Sequence, residues 1–306
     1  MPIRISDAMP TRDILESENI FVMTEHRAMT QDIRPLKLLI LNLMPTKVVT
    51  ETQLLRKLSN TPLQIHVDFL QTATYTSKHT DKSYLDQFYY TFDQIRDRKY
   101  DGMIITGAPL DYVPCEETVY WKEVCEIMEW AKTHVHCTFH LCWGAYAGLY
   151  YHFGVEKLDM PKKLFGIYKH KILMPQSPFL RGFNDDFLAP QSRATDVRLS
   201  DVEAIPELEI LAVTETGSLA IAKTADNRQV YVTCHGEYDK DTLSKEYWRD
   251  MEKGLTSVDL PYNYFPDDDP TKEPPVTWRS TGQLLYSNWL NFYVYQSTPY
   301  DLDEIK

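Results

Sequence analysis

The chain has 306 residues, 43% hydrophobic and 25% charged, enough for one large or two ordinary domains with a core that needs no covalent staples. Its 44 acidic residues outnumber 32 basic ones, a formal net charge of -12 that leaves no overall basic footprint for nucleic acid. Five cysteines (Cys115, Cys125, Cys137, Cys142, Cys234) with no CxxC pair argue against a disulfide framework and for a reducing compartment.

Residues 1–35 read as an irregular arm ended by Pro35. The N-terminus mixes acids with bases and lacks the apolar core of a signal peptide. The run from Leu36 to Leu43, bounded by Pro45, predicts a buried strand, and Leu54, Leu55 and Leu58 fall at helical spacing within Val48 to Leu58. A strand fits Ile65 to Leu70, and Tyr84 to Arg98 reads as a helix with an aromatic face. Its aromatics suit helix packing better than base stacking. Gly102 to Gly107 reads as a strand running into a Gly-Ala-Pro turn. A helix from Val119 to Lys132 and a strand from His136 to Leu141 follow. Such alternation predicts an α/β fold: an open, mostly parallel sheet flanked by helices. Short strands are expected at Ile210 to Thr214, Leu219 to Lys223 and Val230 to Cys234, then a polar loop and a final helix near Thr281 to Tyr295. Phe165, Tyr168 and the aromatics from Tyr286 to Tyr295 suit either core or a subunit interface. The longest apolar runs, such as Leu38 to Met44, are too short to span a bilayer, so no membrane association and a cytoplasmic location are expected. The chain divides into an arm (1–35), one α/β domain (36–300) and a tail (301–306), with ligands expected at the carboxyl ends of the strands.

Chemistry concentrates in two segments. In His140-Leu141-Cys142-Trp143-Gly144 an apolar strand runs into small residues and a helical pattern, with cysteine at the junction. A nucleophile elbow needs this strand-turn-helix context, and a helix N-terminus favours thiolate. Taken alone, Cys142 is equally readable as a buried core thiol. The second segment, Val230 to Tyr238, reads as a strand ending in His235-Gly236-Glu237, where positions i and i+2 share a face. A thiol needs a base and the base an orienting carboxylate, so Cys142, His235 and Glu237 form a candidate triad. The backbone N–H of Trp143, the residue after the nucleophile, is a natural oxyanion donor. His134, His136, Cys137, His140 and Cys142 crowd nine residues, but strand alternation sends Cys137 to the opposite face, and no metal is expected.

A cysteine elbow with a later His-x-Glu resembles the class I glutamine amidotransferase fold, a flavodoxin-like three-layer arrangement. That family has Gly-x-Cys-x-Gly at the elbow, whereas His140 replaces the first glycine here, which disfavours a glutaminase-like hydrolase. Asn42-Leu43-Met44-Pro45-Thr46-Lys47, Thr106-Gly107-Ala108-Pro109, the elbow and His235-Gly236-Glu237-Tyr238 together resemble the homoserine O-acyltransferases, over essentially the whole chain.

That resemblance implies transfer of an acyl group from acyl-CoA to the hydroxyl of L-homoserine, an early step of methionine biosynthesis. Cys142 would accept the acyl group as a thioester, His235 would act as general base and Glu237 would orient it. Lys47 would support the oxyanion or the thioester carbonyl. Without the resemblance it reads as a solvated lysine at a helix start. Lys163, Ser192 and Arg249 match homoserine-binding positions, Arg249 suiting the carboxylate through a bidentate contact. Asp111 falls where succinyl-specific relatives have glycine and acetyl-specific ones glutamate. Two unit charges at about 5 Å in an effective dielectric near 20 repel by roughly 3 kcal/mol, which favours acetyl-CoA over succinyl-CoA. No cofactor beyond acetyl-CoA as co-substrate is implied, and a homodimer is expected because relatives form one.

Overall fold

The computed structural model describes residues 3–6, 9–17, 22–24, 34–75, 80–254 and 259–305. The arm is more regular than expected: it carries β1 (Ile3–Ile5), α1 (Thr11–Ser17) and β2 (Val22–Thr24). The strand β1 pairs in parallel with β2 and, through Ile3 and Arg4, with Ile65 and His66. Three-residue strands are too short to show a period, and they form here because an existing sheet edge offers backbone partners.

The next elements follow the apolar pattern: β3 (Leu36–Leu41), α2 (Lys47–Leu58) and β4 (Ile65–Leu70). The helix expected from Tyr84 to Arg98 is instead broken into α3 (Lys82–Phe88), β5 (Tyr89–Tyr90) and α4 (Phe92–Ile95). Tyr89 and Tyr90 extend to pair with Phe69 and Leu70, and Thr91 restarts the helix through a capping box with Gln94. Then come β6 (Tyr100–Ile105), α5 (Trp121–His134), β7 (Val135–Leu141) and α6 (Trp143–Phe153).

The later part holds a long antiparallel hairpin absent from the sequence reading, β8 (Leu158–Ile172) and β9 (Asp186–Asp196). After it come α7 (Leu199–Glu203), β10 (Leu208–Thr214), β11 (Leu219–Thr224), β12 (Gln229–Val232) and α8 (Thr242–Glu252). The final helix α9 (Arg279–Asn288) continues as a π-helical turn over Trp289–Tyr295. No helix among the described residues is long and apolar enough to cross a membrane.

Among the described residues twelve strands form one sheet, in the order β2-β1-β4-β3-β6-β7-β12-β11-β10-β8-β9, with β5 beside β4. Pairing is parallel from β2 through β12 and antiparallel from β12 to β9. The strands β3 and β6 are buried on both faces apart from Lys37, as their largely apolar runs require. Helix α5 covers one face through Val124, Ile127 and Met128, while Tyr286 and Trp289 pack on Phe139 from the other.

The strand β12 ends at Val232, so His235 and Glu237 lie in a turn beyond it and not on the strand itself. That turn rests on α9 through two glycines: a Cβ on Gly282 would sit 2.2 Å from the Gly236 carbonyl oxygen. Backbone blocks any retreat on both sides. Gly282→Ala is therefore expected to cost about 1–3 kcal/mol or more in urea unfolding and to lower activity by displacing His235 and Glu237. Wild-type stability in that variant would contradict the close approach.

Candidate active site

Where β7 ends, Cys142 adopts φ 52° and ψ -115°, and α6 begins at the next residue. A side chain holds positive φ only where its surroundings over-determine it, and such strain clusters at functional sites. The Cys142 N–H donates to the Val232 carbonyl (2.8 Å), and the Cys142 carbonyl accepts from Ala145 (2.9 Å) and Tyr146 (3.3 Å). Trp143 is the first helical residue, whose N–H has no acceptor within the helix.

His140 does not enter the cleft. Its ring is fully buried, stacks on Tyr231 (centroids 4.8 Å apart), and pairs through Nε2 with Gln229 Oε1 at 2.7 Å. Burial lowers its pKa to about 4, against the hydrogen bonds to Gln229 and Gly144. Its bulk fits because Gly148 faces it: a Cβ there would lie 2.7 Å from Nδ1. The departure from the amidotransferase elbow is thus absorbed beneath α6.

The residue after β12's end that matters most is His235. Its Nδ1 lies 2.6 Å from Glu237 Oε1, its ring stacks on Tyr238 at 4.1 Å, and its N–H donates to Pro190. Glu237 also accepts from the Tyr286 hydroxyl (3.3 Å). The buried Nε2 has no hydrogen-bond partner, and the ring lies within electrostatic reach of Cys142. Burial works against an imidazolium here, but the charges of Cys142 and Glu237 outweigh it and hold the His235 pKa well above 6.5.

On the antiparallel side, Ser192 on β9 donates to Glu246 Oε2 (2.5 Å), and the Tyr238 hydroxyl donates to Glu246 Oε1 (3.0 Å). Lys163 Nζ on β8 lies 3.9 Å from Glu246 and 4.0 Å from Asp250. Arg249 pairs with Asp250 through Nε (2.9 Å) and remains half-exposed. Lys163, Ser192 and Arg249 are thus gathered as one cluster, and Tyr238 joins it to His235. Sequence reading missed Glu246 and Tyr238, although Glu246 stands three residues before Arg249 on one helix face.

Lys47 lies apart from that cluster, buried at the start of α2 at the ends of β3, β4 and β6. Its Nζ donates to the Asn42 carbonyl and sits 5.6 Å over the Tyr89 ring. Burial lowers its pKa to about 8, opposed by Glu51. Glu51, fully buried, accepts from Thr11 (3.2 Å), Tyr84 (2.6 Å) and Tyr89 (2.5 Å). The solvated reading of Lys47 is overturned by this packing.

The histidines and cysteines near the elbow take separate partners: His134 stacks on Trp130, His136 meets Ser297, and Cys137 accepts from Trp289 Nε1. Among the described residues no group of three or more potential ligands converges on a metal site.

Residues 2–300 match the family described as homoserine O-succinyltransferase. The chain belongs to that family. It is 53% identical over 306 residues to the homoserine O-acetyltransferase of Acetivibrio thermocellus, covering 100% of both chains. To that of Geobacillus sp. (strain WCH70) it is 56% identical over 301 residues, covering 98% of this chain and 99% of the relative. In fold it is similar to a glutamine amidotransferase from Thermotoga maritima (TM-score 0.52, 13% identity, 84% of this chain and 98% of the other). The chain is an acyltransferase of this family on a class I glutamine amidotransferase-like fold.

Within this acyltransferase Asp111 is more than a solvated turn residue. Its Oδ1 accepts the Ala194 N–H on β9 (3.1 Å), and its carbonyl, with those of Leu110 and Val113, cradles Lys157 Nζ. Between Ser192 and Ala194, Arg193 buries its guanidinium, held by Gln191 (2.9 Å), the Thr195 carbonyl (2.6 Å) and Asp196 (3.2 Å). This cation, unread in the sequence, lies within electrostatic reach of Cys142.

The raised pKa makes His235 a source of stability that is complete below its unfolded value near 6.5 and is lost as pH climbs through the higher folded value. Removing either partner is expected to lower the folded value. Carbon-13 NMR of labelled histidine should find His235 titrating at lower pH in both Glu237→Gln and Cys142→Ala than in wild type. Unmoved midpoints in both would exclude the coupling.

Proposed function

We propose that this acyltransferase is a homoserine O-acetyltransferase working through an acetyl-Cys142 thioester, supplying methionine biosynthesis from acetyl-CoA and L-homoserine. The observation that carries the reading is the His235 imidazole, bonded to Glu237 at 2.6 Å with its buried Nε2 left unpartnered and the strained Cys142 elbow within its electrostatic reach. In the proposed cycle the reacting form pairs a Cys142 thiolate with the His235 imidazolium. The Cys142 sulfur attacks the thioester carbonyl, and the Trp143 N–H supports the oxyanion. As the carbon–sulfur bond to CoA breaks, His235 donates its proton and free CoA leaves.

Acylation also resets the base. The Cys142 charge that held the His235 proton is gone once sulfur is a thioester, so the imidazole stays neutral. His235 then takes the proton of the homoserine hydroxyl as its oxygen attacks the acetyl carbonyl. Expulsion of Cys142 thiolate restores the ion pair and releases O-acetyl-L-homoserine.

The acceptor fits the Ser192–Glu246 cluster. Glu246 suits the homoserine ammonium, while Lys163 and Arg249 suit its carboxylate. Asp111, fixed to β9 by Ala194, would set its carboxylate against the distal carboxylate of a succinyl group. At a separation of about 5 Å that repulsion is worth roughly 3 kcal/mol, about a hundredfold in rate.

Intact mass after incubation with acetyl-CoA should reveal one acetyl group on wild type and none on Cys142→Ala, with CoA release continuing only when homoserine is present. Asp111→Gly should raise kcat/KM for succinyl-CoA relative to acetyl-CoA. Equal use of both donors by wild type would refute acetyl selectivity, and no homoserine-dependent CoA release with either would refute the acyltransfer.

A further inference from the structure

Beside the elbow, the parallel half of the sheet opens a cavity of about 270 Å³ at the carboxyl ends of β3, β4 and β6. Its walls are mostly carbon, from Leu43, Pro109, Leu110 and Val113, and its charged lining residues are Lys47 and Glu117. Two observations connect it to the thiol. Gly107 directly precedes the Ala108-Pro109 wall, and a Cβ built on it would lie 3.6 Å from Cys142 Sγ. Tyr120 in the lining packs edge-to-face on Trp143, with centroids 6.1 Å apart.

The opposite end of the cavity meets solvent. Val119 is 72% exposed and Tyr75 39% exposed, so two apolar side chains stand at one rim, whereas Lys47 is 6% exposed. The rim loop is built firmly: Ala73 and Thr74 N–H groups donate to Glu123 at 2.7 and 2.9 Å.

A largely apolar wall suits the amino-acid acceptor less well than the several charges gathered around Glu246 across the elbow. It suits a long, flexible, largely apolar chain that ends in a reactive carbonyl. Resting on the acyltransferase reading above, we infer that this cavity takes the pantetheine arm of the acyl-CoA donor. The thioester lies at the Gly107–Cys142 end and the nucleotide stays outside the Tyr75–Val119 rim. Donor and acceptor then reach Cys142 from opposite halves of the sheet, the donor from the parallel side and homoserine from the β8–β9 hairpin and α8.

The test compares acetyl-CoA with S-acetyl-N-acetylcysteamine, a short thioester that stops before the rim. Val119→Trp should lower the ratio of kcat/KM for acetyl-CoA to that for the short donor by about tenfold, a loss of donor binding that a damaged fold would spread over both. Hydrogen exchange on the Cys142→Ala protein with CoA added should show protection of residues 73–75 and 113–120. An unchanged ratio, or protection confined to β8, β9 and α8, would overturn the assignment. If wild type is acetylated normally while both of those results appear, only the pocket is misassigned. If neither thioester acetylates Cys142, the acyltransferase reading itself falls and the inference with it.

Discussion

The Cys142 N–H to Val232 carbonyl hydrogen bond, 2.8 Å long, ties the elbow to the strand that leads to His235. It continues the parallel pairing of β7 with β12, in register from Thr138 with Gln229 to Leu141 with Val232. Because the two strands end side by side, the residues just beyond them are neighbours, however far apart in sequence. This pairing is also where the sheet changes character. The strand β12 is parallel to β7 on one side and antiparallel to β11 on the other. Open α/β sheets hold their ligands in the crevice beyond the carboxyl ends of their parallel strands. Cys142 and His235 stand at that seam.

The two halves of the sheet contribute unlike materials. The parallel half brings continuous buried strands whose ends can be shaped into an apolar hollow. The antiparallel half brings a hairpin and α8, whose partly exposed faces carry Lys163, Ser192, Glu246 and Arg249. In the proposed site, charged recognition and apolar recognition are therefore segregated by strand direction. The acidic surface does not prevent this, because Arg193 and Lys47 are buried, held by carbonyl oxygens and side chains and not by solvent. Low dielectric makes a cation so placed count for more than many at the surface.

What was legible in the sequence followed from period and punctuation. The runs of β3, β6 and β7 are largely apolar because both faces are covered, and the small residues after Cys142 announced a turn into a helix. The hairpin was hidden for a physical reason. Pro161 interrupts β8 near a register shift, and Pro190 lies in β9, which is tolerated because β9 is an edge strand. The Tyr84 to Arg98 segment misled because helical spacing of aromatics does not reveal that Tyr89 and Tyr90 have a strand to pair with. His235 and Glu237 were correctly paired for the wrong local reason, since a turn and not strand alternation brings them together. Glu246 and Lys47 look like solvated helix charges, and only tertiary packing distinguishes them.

The short contact between His235 and Glu237 has a consequence for the proton ledger of the proposed cycle. The imidazolium gives its proton to departing CoA and recovers one from the homoserine hydroxyl, so each half-reaction begins and ends with the same site charge. No hydron is exchanged with bulk water at either stage. A catalytic ring only 6% exposed can then turn over without a relay to the surface. Water, which would hydrolyse the thioester, has no part to play in the transfer.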